Sequence, residues 1–195
     1  SQNYADAVNV LKQAQIAIKH SSALLLPLGA DLIRTQRYKE GIEILRELLR
    51  EFPDNDQAYL SIADAYRQMG SSEQEVEILR DLARRKPTYP MIRVLIARAM
   101  LAASHVDYPK VLQELVEAEK SAPLDPDVFY LRGKVYIKIN RYDDAVAALR
   151  RSIELRPMET GPYYQLARIY QKLGESKLAA EQFQRVKYLE SASIK

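Results

Sequence analysis

Residues 127–157 read DVFYLRGKVYIKINRYDDAVAALRRSIELRP, and their periodicity decides the fold class. Apolar residues recur at three- and four-residue intervals on both sides of Ile139, Asn140 and Arg141. That spacing predicts two amphipathic helices joined by a tight turn. Small residues stand where the paired helices must approach, Gly133 on the first and Ala145 on the second. A shift of 34 residues brings the pattern round again, so the hairpin reads as one copy of a stacked repeat.

Working outward, further units align at residues 22–53, 56–87, 90–123 and 160–190 beside 126–157. Residues 4–20 carry YADAV, which lies over the YDDAV of 142–146. They predict a lone leading helix in register with a second helix, so the chain starts halfway through a repeat. Glycine at Gly70 and Gly174 accepts the left-handed conformation that ends a helix. The unit at 90–123 carries two extra residues between its helices, within 104–109, and these place Tyr108 in an exposed turn. The columns then agree down the chain. A small residue appears as Gly29, Ala63, Ala97, Gly133 and Ala167, with a large one three places on as Leu32, Tyr66, Met100, Tyr136 and Tyr170. Second helices supply Leu45, Leu79, Leu115, Leu149 and Phe183, and proline, which cannot continue a helix, closes units at Pro53, Pro87, Pro123 and Pro157.

These columns resemble the tetratricopeptide repeat family from residue 23 to residue 190, and in the half-unit before it. The resemblance implies an all-α, right-handed α-solenoid of about five helix-turn-helix repeats after one N-terminal helix, forming a single domain over 1–195. It also implies a concave face, lined mainly by first helices, that holds an extended peptide or a partner helix. Gly41, Glu75 and Val111 depart from the small residue seen at Ala145 and Ala179. Glu75 is the least comfortable of them and predicts a rotated or shifted second helix.

Positions three before, one after and five after each small residue lie along one helical face. They give Leu26, Ala30 and Arg34, then Leu60, Asp64 and Gln68, then Val94, Arg98 and Ala102. The last two units give Tyr130, Lys134, Lys138 and Tyr164, Arg168, Lys172. The concave binding residues expected are therefore Arg98, Tyr130, Lys134, Lys138, Tyr164, Arg168 and Lys172. Tyrosine offers rigid contact area and the cations can hold carboxylates, so an acidic segment of another protein is the expected ligand. The family's asparagine-and-lysine carboxylate clamp does not transfer, because Asn3, Asn9, Asn55 and Asn140 all lie off this stripe.

Chemistry of other kinds finds little support. Cysteine is absent, and the two histidines, His20 and His105, fall at a helix end and in the long turn. No catalytic residue, metal site or cofactor is expected. Carboxylates such as Glu40, Glu43 and Glu47 sit beside Arg46 and Arg50 as helical charge pairs. Single-stranded nucleic acid stays open as an alternative ligand, through Arg84-Arg85-Lys86, Arg150-Arg151 and the tyrosines Tyr130 and Tyr164. A further alternative is an interaction module belonging to a larger enzyme or assembly. A net charge of only +3, with both signs interspersed, offers no polyanion-binding tail. Without a long apolar run, the chain is expected to be soluble, not inserted in a membrane, with the cytoplasm favoured. The last helix, with Leu178, Ala179, Phe183, Val186 and Leu189 and no following unit, predicts either a further repeat beyond it or self-association through its face.

Overall fold

The computed structural model describes residues 22–89 and 91–192; the leading helix predicted at 4–20 lies outside them, as does His20. Among the described residues there are ten helices and no strand. They divide into two compact units after Tyr89. The first unit contains α1 (Ser22–Arg34), α2 (Tyr38–Glu51), α3 (Asp56–Gln68) and α4 (Ser72–Arg85). The second contains α5 (Ile92–Leu101), α6 (Tyr108–Ser121), α7 (Pro126–Lys138), α8 (Tyr142–Leu155), α9 (Thr160–Lys172) and α10 (Ser176–Ala192).

Within each unit the helices pack as antiparallel pairs, and each second helix also packs on the first helix of the next pair: α2 on α3, α6 on α7, α8 on α9. The sequence columns are the joints of this packing. Leu45, Leu79, Leu115 and Leu149 are fully or almost fully buried, as are the small residues opposite them. A Cβ on Gly133 would lie 2.7 Å from Leu149 Cγ, and one on Gly29 would lie 2.5 Å from Leu45 Cγ. Those distances are well inside van der Waals contact, so the leucine fills the space that the missing side chain leaves. Gly41 has a different reason to be glycine: its Cβ would sit 2.8 Å from the backbone oxygen of Gly29.

Two expectations need correction here. The helix carrying Glu75 keeps the burial pattern of its equivalents, with Glu75, Ile78, Leu79 and Leu82 inside. Glu75 is buried there without being left partnerless, as an ionisable group requires. Val94, assigned to the exposed stripe, is instead buried among Ala97, Val111 and Val128. Its burial comes from the adjacent helices, through Val111 of α6 and Val128 of α7.

The turns within pairs, apart from that between α5 and α6, share one device. Gln36, Gly70, Asn140 and Gly174 all have positive φ, between 60° and 80°. The next N–H then reaches back to the carbonyl of the large column residue: Arg37 to Leu32 at 2.8 Å, Ser71 to Tyr66 at 2.8 Å, Arg141 to Tyr136 at 2.9 Å and Glu175 to Tyr170 at 2.8 Å. This is the Schellman closure, which favours glycine. Gln36→Gly is expected to raise the first unit's stability by about 1 kcal/mol, because a left-handed non-glycine residue is strained. Asn140→Gly should gain less, since asparagine tolerates that region. Urea unfolding of the two variants beside the wild type checks the order.

Arginine also ties successive pairs together. Arg46 donates to the Tyr66 hydroxyl at 2.9 Å, and the equivalent Arg150 donates to that of Tyr170 at 3.1 Å. At the C-terminal end, Ala179, Val186 and Leu189 are buried, while Leu178 and Phe183 are half-buried. Most of the face expected to self-associate is therefore already covered by its own unit, because α10 packs along α9.

Candidate functional site

In the second unit, the first helices α7 and α9 present two cations each, one turn apart: Lys134 and Lys138, then Arg168 and Lys172. Helical rise places each pair on one face, and the repeat brings the two faces to a common cleft of about 490 Å³. Leu101, Ile137 and Ile169 contribute apolar wall, and Tyr108 and Tyr142 contribute rings from the starts of α6 and α8. Lys172 Nζ stands 4.9 Å from the centre of the Tyr142 ring, and Lys134 Nζ 5.8 Å from that of Tyr130. A cation over a ring face is attracted by the ring's quadrupole, which holds both ammonium groups in place.

Electrostatics set this cleft apart. Several exposed cations elsewhere are paired one turn away, as in Arg34 with Asp31, Arg37 with Glu40, Arg141 with Asp144 and Arg151 with Glu154. No carboxylate lines the cleft. Among the described residues, none of its four cations is within ion-pair distance of one. The cleft of the first unit, about 660 Å³, is different. Its Asp64 is bonded by Arg67 and Gln68, its Asp56 by Lys86 and its Arg34 by Asp31.

The structure thus brings together Lys134, Lys138, Arg168 and Lys172 from the expected set. Tyr130 is half-buried behind them. Burial pushes its phenol above the usual tyrosine range, Glu159 and Asp127 add to that, and a hydrogen bond with the lining residue Gln165 offsets part of it. It stays neutral at physiological pH and acts as support for Lys134. Tyr164 is engaged edge-on with Phe183 at 6.0 Å and does not line the cleft, and neither does Arg98. Tyr108 is half-buried at the start of α6, not held out in an exposed turn.

Sequence reasoning missed Tyr142, and it singled out Tyr108 only as an exposed residue of the inserted turn, not as part of this cleft. Their column was nonetheless visible, because Tyr38, Tyr108 and Tyr142 all open second helices. In the first unit Tyr38 donates to Gln68 Oε1 at 3.1 Å, the same pairing of columns that sets Tyr142 against Lys172. The basic clusters considered for nucleic acid are spoken for in part: Arg84 pairs with Asp81, Arg151 with Glu154, and Arg150 with Tyr170. Among the described residues, no group of three or more His, Asp or Glu is placed to hold a metal ion, and no helix is long and apolar enough to cross a membrane.

Paired helices stacked in register, with small-to-large joints inside each pair, define a tandem helix-turn-helix repeat protein. Profiles of the family described as Tetratricopeptide repeat match residues 26–90 and 161–193, and that described as TPR repeat matches 133–174. The chain belongs to the tetratricopeptide repeat family, and its general role is that of a protein–protein interaction scaffold. It is 22% identical over 175 residues to the human (Homo sapiens) protein O-mannosyl-transferase TMTC1, covering 87% of this chain and 20% of that protein. It spans 28% and 30% of two further curated relatives. Among solved structures it is similar to MamA 41-end from Desulfovibrio magneticus RS-1, with TM-score 0.75, 20% identity and coverage of 89% of this chain and 98% of that one. It is also similar to TTC0263, a thermophilic TPR protein of Thermus thermophilus, with TM-score 0.66, 23% identity and coverage of 85% and 90%. At these identities the likeness is one of fold.

Proposed function

We propose that this chain is a non-catalytic adaptor whose second unit holds an extended, acidic segment of another protein in the cleft along α7 and α9. The observation that carries the reading is the convergence of four cations, none with a carboxylate partner among the described residues, on one cleft whose lining holds no carboxylate. Like charges held together in one cleft repel, and an anionic ligand relieves that repulsion while gaining charge-assisted hydrogen bonds. The apolar walls and tyrosine rings supply contact area that a bare anion would leave unused. Because the chain spans only a fifth of TMTC1, the same adaptor role within a longer protein fits equally well.

The test is fluorescence anisotropy with a labelled acidic peptide and a composition-matched neutral one. The acidic peptide should bind, and should weaken steadily as salt rises, because exposed charges are screened beyond ~8 Å at physiological ionic strength. Equal binding of the neutral peptide, or an affinity indifferent to salt, would remove the acidic-segment reading. A labelled single-stranded oligonucleotide serves as the competing arm; tighter binding there than to the peptide would favour nucleic acid.

A further inference from the structure

We infer that the group this cleft is built to hold is the dianion of a phosphorylated side chain, set beside an apolar residue of the same segment. The inference rests on the acidic-segment reading above and narrows its chemistry. Lys134 with Lys138, and Arg168 with Lys172, are like-charged pairs four residues apart, an arrangement that opposes helix stability. The same columns of the first unit carry Ala30 with Arg34 and Asp64 with Gln68. Doubled cations are therefore particular to α7 and α9 and are not demanded by the repeat. A single carboxylate brings one charge and two oxygens and leaves most of this field uncompensated. A phosphomonoester brings nearly two charges at neutral pH and three strong acceptor oxygens. Arg168 offers a planar fork that can bind two of those oxygens, and the three lysines act as point charges around it.

The walls supply the second half of the argument. Leu101, Ile137 and Ile169, with the Tyr108 and Tyr142 rings, line the same cleft as the cations. A uniformly acidic segment would leave these surfaces in water. An apolar neighbour of the phosphorylated residue would cover them, which is how a small number of polar anchors in an apolar cleft becomes selective.

Three matched pools of short peptides test this, identical except for a central phosphoserine, glutamate or serine, each measured against the full chain by anisotropy competition. The phosphoserine pool should bind at least about tenfold more tightly than the glutamate pool, with apolar residues enriched beside the phosphoserine. Arg168→Lys keeps the charge and removes the fork. It should erase most of that advantage while leaving the glutamate pool within about twofold. Should that variant fail to give a wild-type thermal melt, Lys138→Gln, on an exposed side chain, is read in its place and should weaken the phosphoserine pool more than the glutamate pool. Equal affinity for the phosphoserine and glutamate pools overturns the phosphate assignment and leaves the acidic-segment reading standing. Failure of both pools to bind overturns both. Undiminished phosphoserine binding by Lys134→Met/Lys172→Met would place the phosphate outside this cleft and sink the inference.

Discussion

Leu149→Ala is expected to remove about 2–5 kcal/mol from the second unit, and Gly133→Leu alone about 1–3 kcal/mol or more. The two together should lose at least ~1 kcal/mol less than the sum. Leu149 is fully buried, so truncating it leaves a cavity that the surrounding helices fill only partly. Gly133 is where that side chain lies, with Leu149 Cγ and Cδ2 at 2.7 and 2.8 Å from the Cβ a larger residue would carry. Each single change therefore damages the same joint in an opposite sense, one by emptying it and one by overfilling it. Denaturant unfolding of the wild type, both single variants and the double gives the coupling directly. The same cycle at Gly29 and Leu45 should show the same sign, since the geometry repeats there. Strict additivity at both joints would mean that the column register is wrong. Gly41→Ala provides the contrast: the obstruction is the Gly29 carbonyl oxygen at 2.8 Å, so trimming Leu45 should not rescue it.

The joints were legible in the sequence because close packing leaves a local trace. A residue without a side chain at 29 or 133 and a leucine sixteen places on are both short-range facts. The Schellman turns were half legible. Gly70 and Gly174 announce themselves, whereas Gln36 and Asn140 adopt the same positive φ with no glycine to mark it. The cleft was read less completely, for reasons that are geometric. A stripe drawn along first helices finds Lys134, Lys138, Arg168 and Lys172, but it omits anything that reaches the cleft from a second helix. Tyr108 and Tyr142 do so from the starts of α6 and α8. Tyr130 shows the opposite error. It lies on the stripe, yet its hydroxyl packs against Gly161, where even a Cβ would come within 3.1 Å. That contact depends on how α9 sits against α7, which no pattern within either helix reveals. Val94 was misplaced because its burial depends on Val111 and Val128 of the neighbouring helices, which no pattern within α5 reveals.

Lys134→Glu/Arg168→Glu is expected to weaken binding of an acidic peptide by roughly 10- to 100-fold while leaving the stability of the protein close to that of the wild type. The loss follows from turning two attractions into repulsions, each worth up to about 1 kcal/mol for exposed charges in either direction. In stability, new helical pairs offset the loss of the Lys134 ammonium from the Tyr130 ring face. Each new carboxylate would stand four residues before a lysine, Lys138 on α7 and Lys172 on α9, and that orientation favours a helix by about 0.2–0.5 kcal/mol per pair. No ion pair within the protein is lost, because neither Lys134 nor Arg168 has one among the described residues. Binding should thus fall while stability holds, which separates a lost contact from a damaged fold. Arg151→Glu is the control: its guanidinium is 2.8 Å from Glu154 and lies outside the cleft, so the same change of charge should alter peptide affinity by no more than about threefold. The double variant should also flatten the dependence of affinity on salt, since fewer screened contacts remain to be lost. If the acidic peptide binds the double variant as it binds the wild type, with both proteins folded, the binding surface lies on another face and the four cations of the cleft serve a different purpose.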